Sequence, residues 1–231
     1  MDAPAPPRLR ASVGWLRRFV PIGARRIVTE DGVRFRPVRE RGSSRPAFDV
    51  TFPNARPMRI HPAETRVYAD LEPDPRAELA ALALGVCEPG GRLLDVGCGT
   101  GGSGAALARV TGPSGAVIAL ERDAESVRFA RRRHARDNLG FERGGIETLA
   151  GEPDGSFDAV MIDAALLAEP QVAGEVLRVT AAGGRILAVC RGGTADAEQF
   201  AASVSLDLDT TVKVRPVGSV RGLTLAECRV G

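Results

Sequence analysis

Residues 93–104 read LLDVGCGTGGSG, and a helical stretch, AALARV, follows at once. An apolar pair runs into Asp95, and glycines then alternate at Gly97, Gly99 and Gly101. Glycine lets the backbone come close to a ligand. A helix starting just behind it offers unpaired N–H groups and the positive end of its dipole. A strand, a glycine turn and a helix in this order suit a nucleotide-like ligand, and two cofactor classes use the arrangement. Gly97-x-Gly99-x-x-Gly102 satisfies the dinucleotide pattern literally. Glu121 follows 19 residues after Gly102, where a ribose-binding acid stands in either class.

The pattern around this turn predicts the architecture. From Gly91 onward, RLLDV, AVIALE, FERGGI, FDAVMID and GRILAVC read as strands, and SGAALARV, AESVRFARRRHA and EPQVAGEVLRV as helices between them. Such alternation implies a parallel sheet with helices on both faces. TTVKVRPV and LTLAECRV, joined by a turn from Gly218 to Gly222, lie too close for a parallel crossover, so they form an antiparallel hairpin. The fold class is therefore α/β: a Rossmann-like, seven-stranded, mostly parallel sheet closed by an antiparallel C-terminal hairpin. Upstream, RAELAALALGV reads as a helix. RRIVTEDGVRFRPV reads as a hairpin about Asp31-Gly32, and AFDVTFP as a further strand. The expected division is a basic N-terminal extension over 1–75, with a short helix, a hairpin and a lid segment, and a main domain over 76–231.

Composition narrows the class. The chain has 231 residues, 44% hydrophobic and 26% charged, which suits one full core and a small appendage. No run of about 18 uncharged apolar residues is present, so no membrane span is expected. The four cysteines form no CxxC pair and read as reduced thiols of a cytoplasmic protein, not as a disulfide frame or zinc site. The first 26 residues lack the apolar core of a secretory signal. A transit peptide, a membrane-surface helix and a short capping helix, WLRRFV, remain open there. Charge is uneven, +8 up to residue 66 and −6 beyond it, which points to an anionic partner for the N-terminal part. Lys213 is the sole lysine, so a GC-rich codon habit is the competing explanation for the arginines.

Three features separate the cofactor classes. Asp95 stands two residues before the first glycine, the glycine phase runs on as D-x-G-x-G-x-G, and the sheet ends in a hairpin. With the acid in VIALERD, GSFDAVMID and EVLRVTAAGGRILAV, the chain resembles the class I S-adenosylmethionine-dependent methyltransferases over roughly residues 76–231. The resemblance implies S-adenosylmethionine as cofactor. Asp95 would orient the turn and the amino-acid end of the ligand. Gly97, Gly99 and Gly101 would lend their backbone, with Cys98 inside the turn. Glu121, with Arg122 beside it, would accept from both ribose hydroxyls, a task suited to an acceptor-only carboxylate. Ile146 and Glu147 would flank the adenine. The family commonly has an acid just before that pair, where this chain has Gly145. Asp123 reads as the N-cap of the helix after Glu121.

The acceptor is less legible, because methyl transfer from a sulfonium needs chiefly in-line positioning and exclusion of water. Asp163, ending the fourth strand at the carboxyl edge where open α/β sheets bind ligands, is a candidate base, acceptor anchor or cofactor contact. Tyr68 is a candidate cation–π shield, with His61 and Arg66 near it in a lid. No Asn-Pro-Pro-Tyr or Asp-Pro-Pro-Tyr follows strand four, which disfavours the amino-group methylases of adenine and glutamine. The further acids of metal-dependent relatives are missing after Asp163 and after strand five, so no metal is expected. Cys190 reads as a core thiol. The expected acceptor is a small molecule. The alternatives are an RNA-binding methyltransferase, a non-catalytic scaffold and, more distantly, an NAD-dependent oxidoreductase. Few aromatics are available for stacking on single strands. Oligomeric state is not legible.

Overall fold

The computed structural model describes residues 27–28, 32–38, 41–42, 47–53, 55–61, 74–191, 193–207 and 212–230. Tyr68, Arg66 and WLRRFV lie outside these residues. The chain divides into two compact units, Met1–Glu64 and Thr65–Gly231.

In the first unit, β1 (Ile27–Val28), β2 (Arg34–Val38), β3 (Ala47–Thr51) and β4 (Met58–Ile60) form an antiparallel sheet in sequence order. The hairpin expected about Asp31-Gly32 is present, with Ile27 opposite Phe35 and Gly32 at φ +81°. Strand β4 was not legible, being three residues between Pro57 and Pro62. Its register places Arg59 opposite Asp49, which also faces Arg36 across β2. Both arginines bond the Asp49 carboxylate. The hydrogen bond from Arg59 foremost, then that from Arg36, holds its pKa below the usual value against the effect of burial.

The second unit holds α1 (Pro75–Leu82), β5 (Arg92–Val96), α2 (Gly102–Thr111), β6 (Ala116–Glu121), α3 (Ala124–Arg133), β7 (Leu139–Arg143), β8 (Phe157–Asp163), α4 (Pro170–Val179), β9 (Thr180–Arg191), α5 (Ala195–Asp207), β10 (Val212–Val220) and β11 (Leu223–Val230). The sheet order is β10-β11-β9-β8-β5-β6-β7, and β11 alone runs antiparallel to its neighbours. Strand residues alternate between two cores. Leu93, Ala159 and Met161 face Leu79 and Leu107 of α1 and α2, while Leu94, Val160 and Ile162 face Val176 and Phe200 of α4 and α5. Strands buried on both faces must be apolar throughout, which is why RLLDV and FDAVMID read as near-continuous apolar runs.

Three boundaries differ from expectation. The third parallel strand is Leu139–Arg143; Gly144 and Gly145 lie outside it, and Ile146 opens a short 3₁₀ helix to Gly151. Strand β9 begins at Thr180, and Gly183-Gly184 forms an excursion within it, since Phe157 pairs with Thr180 but Ala159 with Arg185. Helix α5 was not foreseen. Up to Ser203 its buried residues are Ala197, Phe200 and Ala201, mostly alanine, a weak periodic signal. It is the crossover that carries β9 into the parallel β10, which lets β11 turn back between them.

Candidate functional site

Parallel strands bring their carboxyl ends to one edge. There β5 ends in Asp95-Val96, β6 in Glu121 and β8 in Asp163. The chain leaves β5 towards β6 and β7 on one side and returns to β8 and β9 on the other. That reversal opens a crevice where ligands of open α/β sheets bind.

The glycine turn fills this crevice. Gly97, Gly99 and Gly101 have φ of +79°, +59° and +92°, a region other residues enter at a cost. Their reasons differ. A Cβ on Gly97 or Gly99 would meet nothing within 4 Å, so these two keep space open above the strand ends. A Cβ on Gly101 would meet Ala130 and the Phe141 ring at 2.8 Å, and the Gly101 amide is bonded to the Cys98 carbonyl. Gly101 therefore packs helix against sheet. The N-terminus of α2 has no side-chain cap, so its first N–H groups stand ready for an anionic or carbonyl partner.

Buried Glu121 closes the turn from the side. One carboxylate oxygen accepts the Gly99 amide at 2.9 Å and the other the Asp123 amide at 2.9 Å. Held so from the protein side, the acceptor-only carboxylate admits donors from the ligand side, as a pair of ribose hydroxyls would be. Asp123 caps α3 as expected, accepting the Ser126 amide. Cys98 is buried. Burial first, then the nearby Asp95 and Glu121 carboxylates, holds its thiol well above the usual value, which disfavours the thiolate.

Asp95 is fully buried and is satisfied by Ser103 of α2 and by Arg76 of α1. Arg76 Nη2 donates to Asp95 Oδ1 at 2.8 Å and to the Val96 carbonyl at 2.9 Å. Burial disfavours its charge, but attraction to and bonding with Asp95 prevail and the pKa is raised. Its Nε is buried with no hydrogen-bond partner, an orphaned donor at the cofactor edge. Sequence reasoning missed Arg76 altogether. Its signal was Asp74-Pro75 beginning a helix, with Asp74 as N-cap accepting the Arg76 amide at 2.9 Å.

The expected adenine side is built differently. Arg122 and Glu147 form an exposed ion pair at 2.9 Å, and Glu147 also accepts the Gly145 amide at 3.0 Å. The hydrogen bond from its own amide, then the one from Arg122, lowers the Glu147 pKa. A Cβ on Gly145 would fall 2.6 Å from both Arg122 Nε and Glu147 Oε2. The room an acid would take at 145 is thus held by the pair, and Ile146, half-buried, starts the 3₁₀ helix beside it. Asp163 caps the 3₁₀ helix Ala164–Ala168 by accepting the Ala165 amide at 3.2 Å, and Arg191 Nη2 lies 3.9 Å from its other oxygen. Leu166 is exposed just beyond. Cys190 is buried and its thiol is raised by burial. A hollow of about 340 Å³ bounded by Cys87, Asp158 and Arg185 lies at the opposite, amino-terminal edge of the sheet, away from these groups. Among the described residues no helix is long and apolar enough to cross a membrane.

The sheet order, the turn and the acids at the strand ends define the class I S-adenosylmethionine-dependent methyltransferase fold. A family model described as a methyltransferase domain matches residues 88–212, just over half of the chain, and the chain belongs to that family. It is similar to a SAM-dependent methyltransferase from Aquifex aeolicus, with a TM-score of 0.56 and 18% identity over 73% of this chain and 99% of that one. It is also similar to an O-methyltransferase from Bacillus cereus solved with SAH, with a TM-score of 0.54 and 19% identity over 72% and 87%. In sequence it is 42% identical over 105 residues to an uncharacterized 37.1 kDa protein in transposon TN4556 of Streptomyces fradiae. The match covers 43% of this chain and 30% of that protein. It is 40% identical over 72 residues to a fatty-acid O-methyltransferase of Mycolicibacterium smegmatis, covering 31% and 26%. The chain thus spans less than a third of the length of either relative.

Proposed function

We propose that this chain transfers a methyl group from S-adenosylmethionine to a small-molecule acceptor by in-line displacement, without a metal. The observation that carries the reading is the turn itself. Gly97 and Gly99 hold open space in left-handed conformations while Glu121, gripping Gly99, presents a buried carboxylate to one side. The orphaned Arg76 Nε adds a donor suited to the carboxylate of an amino acid. S-adenosylmethionine, when bound, supplies an electrophilic methyl group. Asp95 would set the turn, Gly97, Cys98 and Gly99 line it, Glu121 take the ribose, and Ile146 with the Arg122–Glu147 pair border the adenine. Asp163 would orient the acceptor or take its proton, and Tyr68 would shield the sulfonium. The catalytic domain on this reading begins at α1, near residue 75. Its four cysteines are buried thiols, which suits the cytoplasm.

The test is calorimetric titration with S-adenosylmethionine, S-adenosylhomocysteine and NAD in parallel, beside Glu121→Ala. Micromolar binding of both sulfur ligands, weakened by the substitution, is the expected result. Silence for both with a folded protein would favour a scaffold, and binding of NAD alone an oxidoreductase.

A further inference from the structure

Between the end of α3 and the start of β7 lies a hollow of about 360 Å³ lined by Arg131, Ala135, Arg136, Asp137, Leu139 and Phe141. Its floor is apolar, since Leu139 and Phe141 are buried, while Arg131 and Arg136 on the rim are exposed. Arg132 adjoins Arg131 on α3. Arg109, in the last turn of α2, lies near enough to Arg136 for the two guanidiniums to repel.

This concentration of charge exceeds what the helix needs. A helix C-terminus carries roughly half a negative charge, which one cation in the last turn satisfies. Here the last turn alone carries Arg131, Arg132 and Arg133. Among the described residues no ion pair engages Arg109, Arg131, Arg132 or Arg136, and the one carboxylate lining the hollow is Asp137. Burial and then the nearby Arg136 lower the Arg109 pKa. Two guanidinium forks lining one hollow, with Arg132 and Arg109 nearby, match a ligand with more than one phosphate group. Among the described residues no exposed large apolar side chain borders the arginines for insertion into a lipid surface. Those found among the described residues, Leu84 and Leu166, lie on other elements.

The floor also reaches the cofactor turn. Phe141, which lines the hollow, carries the ring against which Gly101 packs, and Arg131 Nε bonds the Phe141 carbonyl at 2.8 Å. An anion that draws Arg131 and Arg136 together therefore acts on the residue that supports the turn. We propose that this hollow is a second ligand site, for a small di- or triphosphate-bearing anion, and that its occupancy is coupled through Phe141 to the glycine turn. The coupling rests on the cofactor reading above; the binding does not.

Inorganic tripolyphosphate is the probe, titrated into the full chain by calorimetry beside Arg131→Ala/Arg136→Ala. The proposal expects binding that the double variant weakens about tenfold or more and that weakens as salt rises. Arg136→Gln, exposed and beyond the helix, repeats the comparison should the double variant not fold. Absence of binding by the native chain, or equal binding by the variants, overturns the proposal whatever S-adenosylhomocysteine does. Variant-sensitive binding of duplex RNA, or of vesicles rich in phosphatidylserine, with none of tripolyphosphate, also overturns it. Coupling is read as a change of about threefold or more in S-adenosylhomocysteine affinity at saturating tripolyphosphate. By reciprocity the nucleoside must shift tripolyphosphate affinity equally. Should S-adenosylhomocysteine not bind, the cofactor reading fails. Hydrogen exchange of residues 97–104 then reads the coupling, and unchanged protection on adding tripolyphosphate refutes it.

Discussion

Arg76 and Asp95 show how one pair serves both stability and ligand binding. Removing the guanidinium leaves a fully buried carboxylate with Ser103 as its remaining partner. Arg76→Met should cost about 3–5 kcal/mol in a urea titration. Arg76→Met/Asp95→Asn should recover much of that, because the stranded charge is gone, yet still bind S-adenosylhomocysteine about tenfold more weakly. Equal affinity would show that neither the Arg76 guanidinium nor the Asp95 charge contributes to binding. The glycines divide in the same way. Gly97→Ala meets open space and should lose only the conformational term, about 1–2 kcal/mol. Gly101→Ala adds an overlap with Phe141 and Ala130 worth about 1–3 kcal/mol more. Chemical denaturation of the two variants side by side checks the order. Asp95, the glycines and Glu121 were legible because each sits at a fixed offset from a strand end. Arg76 was not, since its partner lies 19 residues further on and the two meet only when α1 docks on α2.

At the scale of elements, β5, β6 and β8 were legible to the residue because strands buried on both faces are continuous apolar runs bounded by glycine or charge. Strand β7, at the sheet edge, is half solvated, and its alternation LGFER gives a weaker signal than the glycines after it. That is why FERGGI was read two residues late. Helix α5 escaped because its first two turns bury little: up to Ser203, Phe200 is the one large buried side chain, between Ala197 and Ala201. The helix should consequently hang on that ring. Phe200→Ala is expected to lower stability by about 3–5 kcal/mol. Phe200 belongs to the core on the α4 side, whereas Gly101 packs on the α2 and α3 side, so the folded fraction should bind S-adenosylhomocysteine with unchanged affinity. Lost affinity without lost stability would contradict the two-core arrangement.

For the whole molecule, the carboxylates with shifted pKa values set how stability follows pH. Asp49, Glu147 and Glu175 all lie below their ordinary values, Asp49 through Arg59 and then Arg36, Glu147 through its own amide and then Arg122, and Glu175 through Arg178. A depressed folded pKa contributes stability above the unfolded value, and that contribution is lost as pH falls through the folded value. Asp74 has the opposite sign. Burial raises it above 3.8, against bonds from the Arg76 and Ala77 amides, so protonation favours the folded state and the benefit is lost as pH rises through the raised value. The three depressed groups outnumber the one raised group and belong to both units. The unfolding midpoint should therefore stay level from about pH 8 to pH 5 and fall below about pH 4.5, where unfolded carboxylates begin to protonate. Arg36, Arg122 and Glu147 are exposed, so about 0.5 M salt should shallow the acid limb more than it lowers the plateau. A series of thermal melts with and without salt decides the matter. A decline already under way at pH 6 would show that the acid sensitivity does not arise from these carboxylates.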